Sequence, residues 1–200
     1  SPIGDNTITK VIIPEGVKKI DAYAFARLTA LKEVVLPSTI EAIEYGAFEG
    51  CISLETVVGL ENVQLINYAA FRNCNLKGTI KLDNVRAIGD YAFAENGSYR
   101  YDATNGYYVL VSSKLEGVVL PPELQSIGAY AFYNNKALKN VEVKADKVKY
   151  GPYVFAYCTA LEKFTMNASV IPEGAFMGCS ELQEIVIGND VNAIGENAFM

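Results

Sequence analysis

Residues 40–58 read IEAIEYGAFEGCISLETVV, and this stretch decides the fold. Its anchor is the pair Ala47-Phe48. A small or β-branched residue followed by Phe recurs as Ala24-Phe25, Ala70-Phe71, Ala92-Phe93, Ala131-Phe132, Val154-Phe155, Ala175-Phe176 and Ala198-Phe199. Successive Phe residues are 23, 23, 22, 39, 23, 21 and 23 positions apart, and the 39 equals one unit of 23 plus an insertion of 16. A fixed period of this length marks stacked repeats, each unable to bury its apolar face alone.

Other columns keep step with the Phe. Five positions before it stand Ile20, Ile43, Ile66, Ile88, Ile127, Tyr150, Ile171 and Ile194. After it come Leu and Val in the order L-x-x-V-x-L, as in Leu31, Val34 and Leu36. That alternation has the period of a strand. Pro14, Pro37 and Pro121 follow such runs, and Pro, which lacks a backbone N–H, suits a strand end. A second extended piece carries Ile40 and Ile43 inward. The segment Tyr45 to Cys51 reads as a short helical turn with Ala47 and Phe48 pointing in. Ile8, Val11 and Ile13 supply a partial first copy. The expected architecture is an α/β solenoid. It is a right-handed coil of about eight 22–23-residue units, with a parallel strand ladder and short helical or irregular convex turns. It forms one domain over residues 1–200.

Composition excludes several functions. The chain carries 17 Lys and Arg against 23 Asp and Glu, a net charge of −6. It has no basic stripe, so we expect no nucleic-acid partner, because phosphate affinity comes mainly from Lys and Arg. No apolar run approaches the roughly 18 residues of a spanning helix, so no membrane insertion is expected. The chain opens Ser1-Pro2-Ile3-Gly4, with neither a basic nor an apolar leader region. Histidine is absent. That removes Ser-His-Asp and Cys-His chemistry along with the commonest metal ligand. We expect no enzyme, cofactor or metal site. Pairs such as Glu41 and Glu44, or Glu55 and Glu61, could be imagined as an acid and base. They stand at outward positions, where charge solvates a face.

Cys51, Cys74, Cys158 and Cys179 each lie three positions after a repeat Phe. Buried, reduced core residues are the favoured reading, with disulfides Cys51–Cys74 and Cys158–Cys179 as the alternative. Gly89, Gly128, Gly151 and Gly195 stand four before the Phe and suggest a tight turn. Asn96-Gly97-Ser98 and Asn167-Ala168-Ser169 match the glycan-acceptor tripeptide.

Two surfaces are candidates for a partner. On the outward side of the strand ladder, Ile12, Val35 and Val58 fall in one column. They are either β-branched residues suited to exposed strands or a mildly apolar docking patch. The second is the insertion, residues 97–113, GSYRYDATNGYYVLVSS. Asn105-Gly106 between Tyr- and Val-rich runs signals a hairpin. Tyr99, Tyr101, Tyr107 and Tyr108 are dense for a loop, and Tyr gives large contact area at low entropic cost. The same rings could instead pad neighbouring repeats.

The recurring unit resembles the BspA-type leucine-rich repeat family, which reads I-x-x-x-A-F-x-x-C-x-x-L-x-x-V-x-L-P. Residues 40–58 match it closely, and the resemblance runs from Ile8 to Met200 apart from the insertion. It implies a secreted or cell-surface protein. It also implies an adhesin-like partner: a host matrix protein, another surface protein, or a glycan. The expected function is therefore an extracellular or surface-attached protein-binding module using the repeat surface and the insertion. The alternative is a passive structural spacer within a larger surface protein. The sequence stops at Phe199-Met200, six positions before the next strand is due. That suggests either a fragment or an uncapped stack.

Overall fold

The structure, a computed structural model, describes residues 7–200. The opening Ser1-Pro2-Ile3-Gly4 lies outside the described residues. About eight coils stack, each contributing two short strands. The first column comprises Lys10–Ile12, Glu33–Val35, Thr56–Val58, Lys77–Lys81, Lys114–Leu120, Asn140–Val143, Lys163–Met166 and Glu184–Ile187. The second comprises Lys19–Ile20, Ala42–Ile43, Leu65–Ile66, Ala87–Ile88, Ser126–Ile127, Lys149–Tyr150, Val170–Ile171 and Ala193–Ile194. Pairing within both columns is parallel and in repeat register: Val11 faces Val34, which faces Val57, and Ile20, Ile43, Ile66, Ile88, Ile127 and Tyr150 form one unbroken row. Ile40 and Ile43 are buried as expected, at 1% and 0% exposure.

The first column divides into three ladders, with its first break after Thr56–Val58. There Gly59 adopts φ 89° and opens a short 3-10 turn, Leu60–Asn62. The unit that follows, Phe71 to Phe93, is also one residue short of its 23-residue predecessor.

The expected helical turns are absent, so the fold is a β-solenoid and not α/β. The 3-10 turn at Leu60–Asn62 is the one helical element among the described residues. The backbone around each Phe explains this. Residues two before and two after it sit in the left-handed region: Tyr23 and Arg27 around Phe25, Gly46 and Gly50 around Phe48, Tyr91 and Glu95 around Phe93, Tyr153 and Tyr157 around Phe155. A left-handed residue interrupts an α-helix. The chain instead makes overlapping four-residue turns, as where the N–H groups of Ala47, Glu49 and Cys51 donate to the carbonyls of Glu44, Gly46 and Phe48. Alternate N–H groups are thereby freed to point at the next coil. Gly46, Phe48 and Gly50 donate to the carbonyls of Tyr68, Ala70 and Arg72, at 2.8, 2.9 and 2.9 Å. The turns form a third inter-coil ladder. A non-glycine left-handed residue costs roughly 1–3 kcal/mol, and that strain is offset by the bonds it aims.

The Phe column is the spine of the core. Rings Phe25, Phe48, Phe71, Phe93, Phe132, Phe155, Phe176 and Phe199 stack in one row, with adjacent centroids 5.3 to 5.8 Å apart. The six interior rings are at most 1% exposed. Burying such a side chain is worth roughly 1.5–3 kcal/mol.

The cysteine column has its own reason. All four thiols are free. Each Sγ–H donates to the Phe carbonyl of the preceding coil: Cys51 to Phe25, Cys74 to Phe48, Cys158 to Phe132 and Cys179 to Phe155, at 3.1 to 3.2 Å. Where Asn135 replaces Cys, its Nδ2 does the same to Phe93 at 2.9 Å. In these five coils a small donor fills the position, and burial pushes the thiols of Cys51 and Cys179 up to about 11, so they keep their protons.

The glycines four before the Phe stand where the chain enters the turns, the Gly89 carbonyl accepting from the Ala92 N–H at 3.3 Å, and what requires glycine there is a close approach between coils. None of Gly89, Gly128, Gly151 or Gly195 has positive φ. A Cβ on Gly89 would lie 2.6 Å from the Tyr68 nitrogen of the coil beneath, and each of the other three would meet backbone of its neighbouring coil as closely.

Candidate binding surfaces

The insertion loops out without breaking the stack. Ala87 and Ile88 pair directly with Ser126 and Ile127, and Thr79 to Lys81 pair with Gly117 to Val119. Between them Ser98–Asp102 and Tyr107–Ser112 form the expected antiparallel hairpin. Its loop has four residues, with Asn105-Gly106 as the last two. The Asp102 carboxylate accepts the Thr104 and Asn105 N–H groups at 2.9 and 3.3 Å, and Asn105 Nδ2 at 2.8 Å. These bonds hold the Asp102 carboxyl below its ordinary range. Gly106 takes φ 74° and its N–H returns to the Asp102 carbonyl.

The hairpin is fastened at its roots. The Asn96 side chain, fully buried, accepts from the Leu76 N–H at 2.9 Å and donates to the Leu76 carbonyl at 3.3 Å. Gly97 N–H donates to the Cys74 carbonyl, and the Ser113 hydroxyl donates to the Asn96 carbonyl. Asn96 stands in the cysteine column but is turned to hold the insertion. It therefore cannot present its amide for glycosylation in the folded chain. Lys114, just past the hairpin, reaches Glu55 at 2.8 Å, and Lys77 reaches the same carboxylate at 3.2 Å. Together they hold the Glu55 carboxyl below its usual range. Glu55 is thus an anchor, and Glu61 does not share its contacts.

The four singled-out tyrosines divide. Tyr99 is half-buried, and its hydroxyl donates to the Glu95 carbonyl at 3.1 Å. Burial pushes its phenol well above the ordinary value. Tyr101, Tyr107 and Tyr108 are 53%, 56% and 71% exposed, and Tyr101 lies against Tyr108 with centroids 5.2 Å apart. On the strand face, Ile12, Val35 and Val58 stand in one register row, Ile12 and Val58 exposed and Val35 half-buried. Lys10 and Glu33 flank the row as an ion pair at 3.4 Å.

A third surface escaped the sequence reading. Tyr45, Tyr68, Tyr91, Tyr130 and Tyr153 form a second aromatic row on the turn side, with centroids 4.9 to 6.0 Å apart. Arg72 lies over Tyr91 at 5.0 Å. Tyr45 and Tyr68 stand three before the Phe, whereas the other three stand two before it. That shift hid the row from a fixed-column search. Among the described residues, no group of acidic, Cys or His side chains could hold a metal ion, and no helix is long and apolar enough to cross a membrane.

A family model described as the BspA type leucine rich repeat region matches in six copies over residues 4–101 and 104–200. The chain belongs to that family. The two matched spans are separated by residues 102 and 103, at the tip of the hairpin. No curated protein matches the chain. Solved leucine-rich repeat proteins are similar to it in fold. The leucine rich repeat protein TpLRR of T. pallidum is 24% identical with a TM-score of 0.57, over 93% of this chain and 72% of that one. One from Bacteroides ovatus is 24% identical with a TM-score of 0.49, over 99% of this chain and 65% of that one. A leucine rich cell surface protein from Faecalibacterium prausnitzii is 21% identical with a TM-score of 0.32, over 91% and 79%. The chain thus spans about 65% of the length of the B. ovatus protein.

Proposed function

We propose that this BspA-type chain is an extracellular or surface-attached protein-binding module, and that the hairpin is its principal contact. The observation that carries this is the exposure of Tyr101, Tyr107 and Tyr108 on a hairpin whose roots, by contrast, are buried and hydrogen-bonded. A rigidly anchored element with solvent-facing tyrosines has little ordering entropy left to lose on binding. The row Ile12, Val35 and Val58 offers a secondary apolar contact on the strand face. Family membership and a repeat surface without a catalytic constellation support the same reading. The test is adhesion or pull-down on matrix and surface proteins with Tyr107→Ala and Tyr108→Ala. Both variants should keep the parent melting temperature and lose most of the binding. Undiminished binding by folded variants would remove the hairpin from the proposal.

A further inference from the structure

The dipeptide Asn-Gly occurs twice in the chain, at Asn96-Gly97 and Asn105-Gly106. An asparagine side chain is most open there to attack by the backbone nitrogen that follows, because glycine has no side chain to obstruct the approach. The fold places the two copies in opposite settings. Asn96 is fully buried, with its side-chain oxygen and nitrogen both held by Leu76. Gly97 donates its N–H to the Cys74 carbonyl at 2.7 Å, and a Cβ on it would lie 2.5 Å from both Leu110 and Ser112. Side chain and nitrogen are both held fast, away from water. Asn105 and Gly106 instead stand exposed at the hairpin tip, and a Cβ on Gly106 would meet nothing within 4 Å. One residue restrains them. Asp102 accepts the Asn105 Nδ2 on its carboxylate at 2.8 Å and the Gly106 N–H on its carbonyl at 2.8 Å. Both reacting groups are tied to Asp102, and reaction between them requires that both bonds be released.

We propose that Asn105 is a site of spontaneous deamidation and that Asp102 governs its rate. The Gly106 nitrogen gives its proton to solvent base and bonds to the Asn105 Cγ, closing a cyclic imide. The Cγ–Nδ2 bond breaks, and the amide nitrogen takes up a proton and leaves as ammonia. Water then opens the ring at either carbonyl. One opening leaves aspartate, and the other leaves isoaspartate, with the backbone rerouted through the side chain. Water is the only co-reactant. Either product puts a carboxylate where the amide faced Asp102. Like charges repel, so the clasp at the tip opens next to the strand that begins at Tyr107. The change is one-way and proceeds in the chain alone, whatever the hairpin contacts.

The test is to age the intact folded chain at mildly alkaline pH and follow both dipeptides by peptide mass spectrometry and isoaspartate-specific methyl labelling. Deamidation should accumulate at Asn105 and not at Asn96. Asp102→Ala removes the carboxylate bond and should speed the reaction at Asn105 about tenfold or more, since a hydrogen bond to a charged group contributes at least that factor. Asp102→Asn keeps an acceptor oxygen and should react at a rate between the two. Both substitutions lie at the exposed tip, and an unchanged melting temperature checks that each variant is folded. In denaturant Asn96 and Asn105 should react at similar rates, because the fold alone separates them. Deamidation at Asn96 in the folded chain, none at Asn105, or an unaltered rate in Asp102→Ala would each overturn the proposal. So would Asp102→Asn reacting as fast as Asp102→Ala, or a difference between the two dipeptides that survives unfolding.

Discussion

The interior coils and the hairpin are made of the same residue types, chiefly aromatic and β-branched, put to opposite uses. In a coil, Phe71 is fully buried between Phe48 and Phe93, at 5.3 and 5.4 Å, and backbone ladders join it to both neighbours. In the hairpin, Tyr107 and Tyr108 stand in solvent on strands that pair only with each other. The coil residue is specified by what lies above and below it. The hairpin residue answers to no stack, and only the roots do. The difference teaches where change is tolerated: stability resides in the columns, and the middle of the insertion is free to serve a partner.

The strongest way to break this contrast is to remove a ring from each region. Phe71→Ala should cost roughly 3–5 kcal/mol, because the coils on either side hold the cavity open. Tyr107→Ala should stay within about 0.5 kcal/mol of the parent. Chemical denaturation of the two variants checks both figures. Equal losses would mean that the hairpin is part of the core, and an unchanged Phe71→Ala would mean that the register is wrong.

The second test sharpens the boundary between the regions. Asn96→Ala removes the side chain that serves both the N–H and the carbonyl of Leu76. Leaving those groups buried and unpaired should cost roughly 1–3 kcal/mol, less than the Phe cavity and more than any surface tyrosine. Hydrogen exchange should quicken across Ser98–Asp102 and Tyr107–Ser112 while the amides of the Phe ladder stay protected. Loss of protection spread evenly over the coils would show that the hairpin is not a separable unit.

The columns were legible in the sequence because stacking imposes one residue type at one interval. The Phe, Ile and Leu positions all face the interior for that reason, and the hairpin was legible from Asn105-Gly106 between its two strands. The turn backbone was not. A stretch such as Glu44 to Glu49 has the composition of a helix. What forbids the helix is the need of alternate N–H groups to reach the next coil, a demand written in the neighbour and not in the segment. Gly46, Gly50, Gly174 and Gly178 hinted at it, but Tyr23, Arg27 and Glu95 occupy the same conformation without glycine. The tyrosine row was hidden by its one-position shift. Asn96 was read as a possible acceptor of sugar. Only its burial shows it to be a fastener.

The smallest effect tests whether charge helps fasten the hairpin. Glu55 binds Lys114, just past the insertion, and Lys77, on the coil strand beside it, and the two lysines lower its carboxyl pKa in the folded chain. A carboxyl depressed on folding adds stability above its unfolded value near about 4.3, and that stability is lost as pH falls through the lower folded value. The pairs are partly solvated, so the gain is about 0.2–1 kcal/mol. Wild type should therefore melt slightly above Glu55→Gln at neutral pH. The gap should narrow below about pH 4, and in about 1 M salt, where charges beyond roughly 3 Å are screened. A gap unmoved by both acid and salt would show that Glu55 acts by packing. The hairpin would then hang on Asn96, Gly97 and Ser113 alone, and the electrostatic part of the boundary between the two regions would fall away.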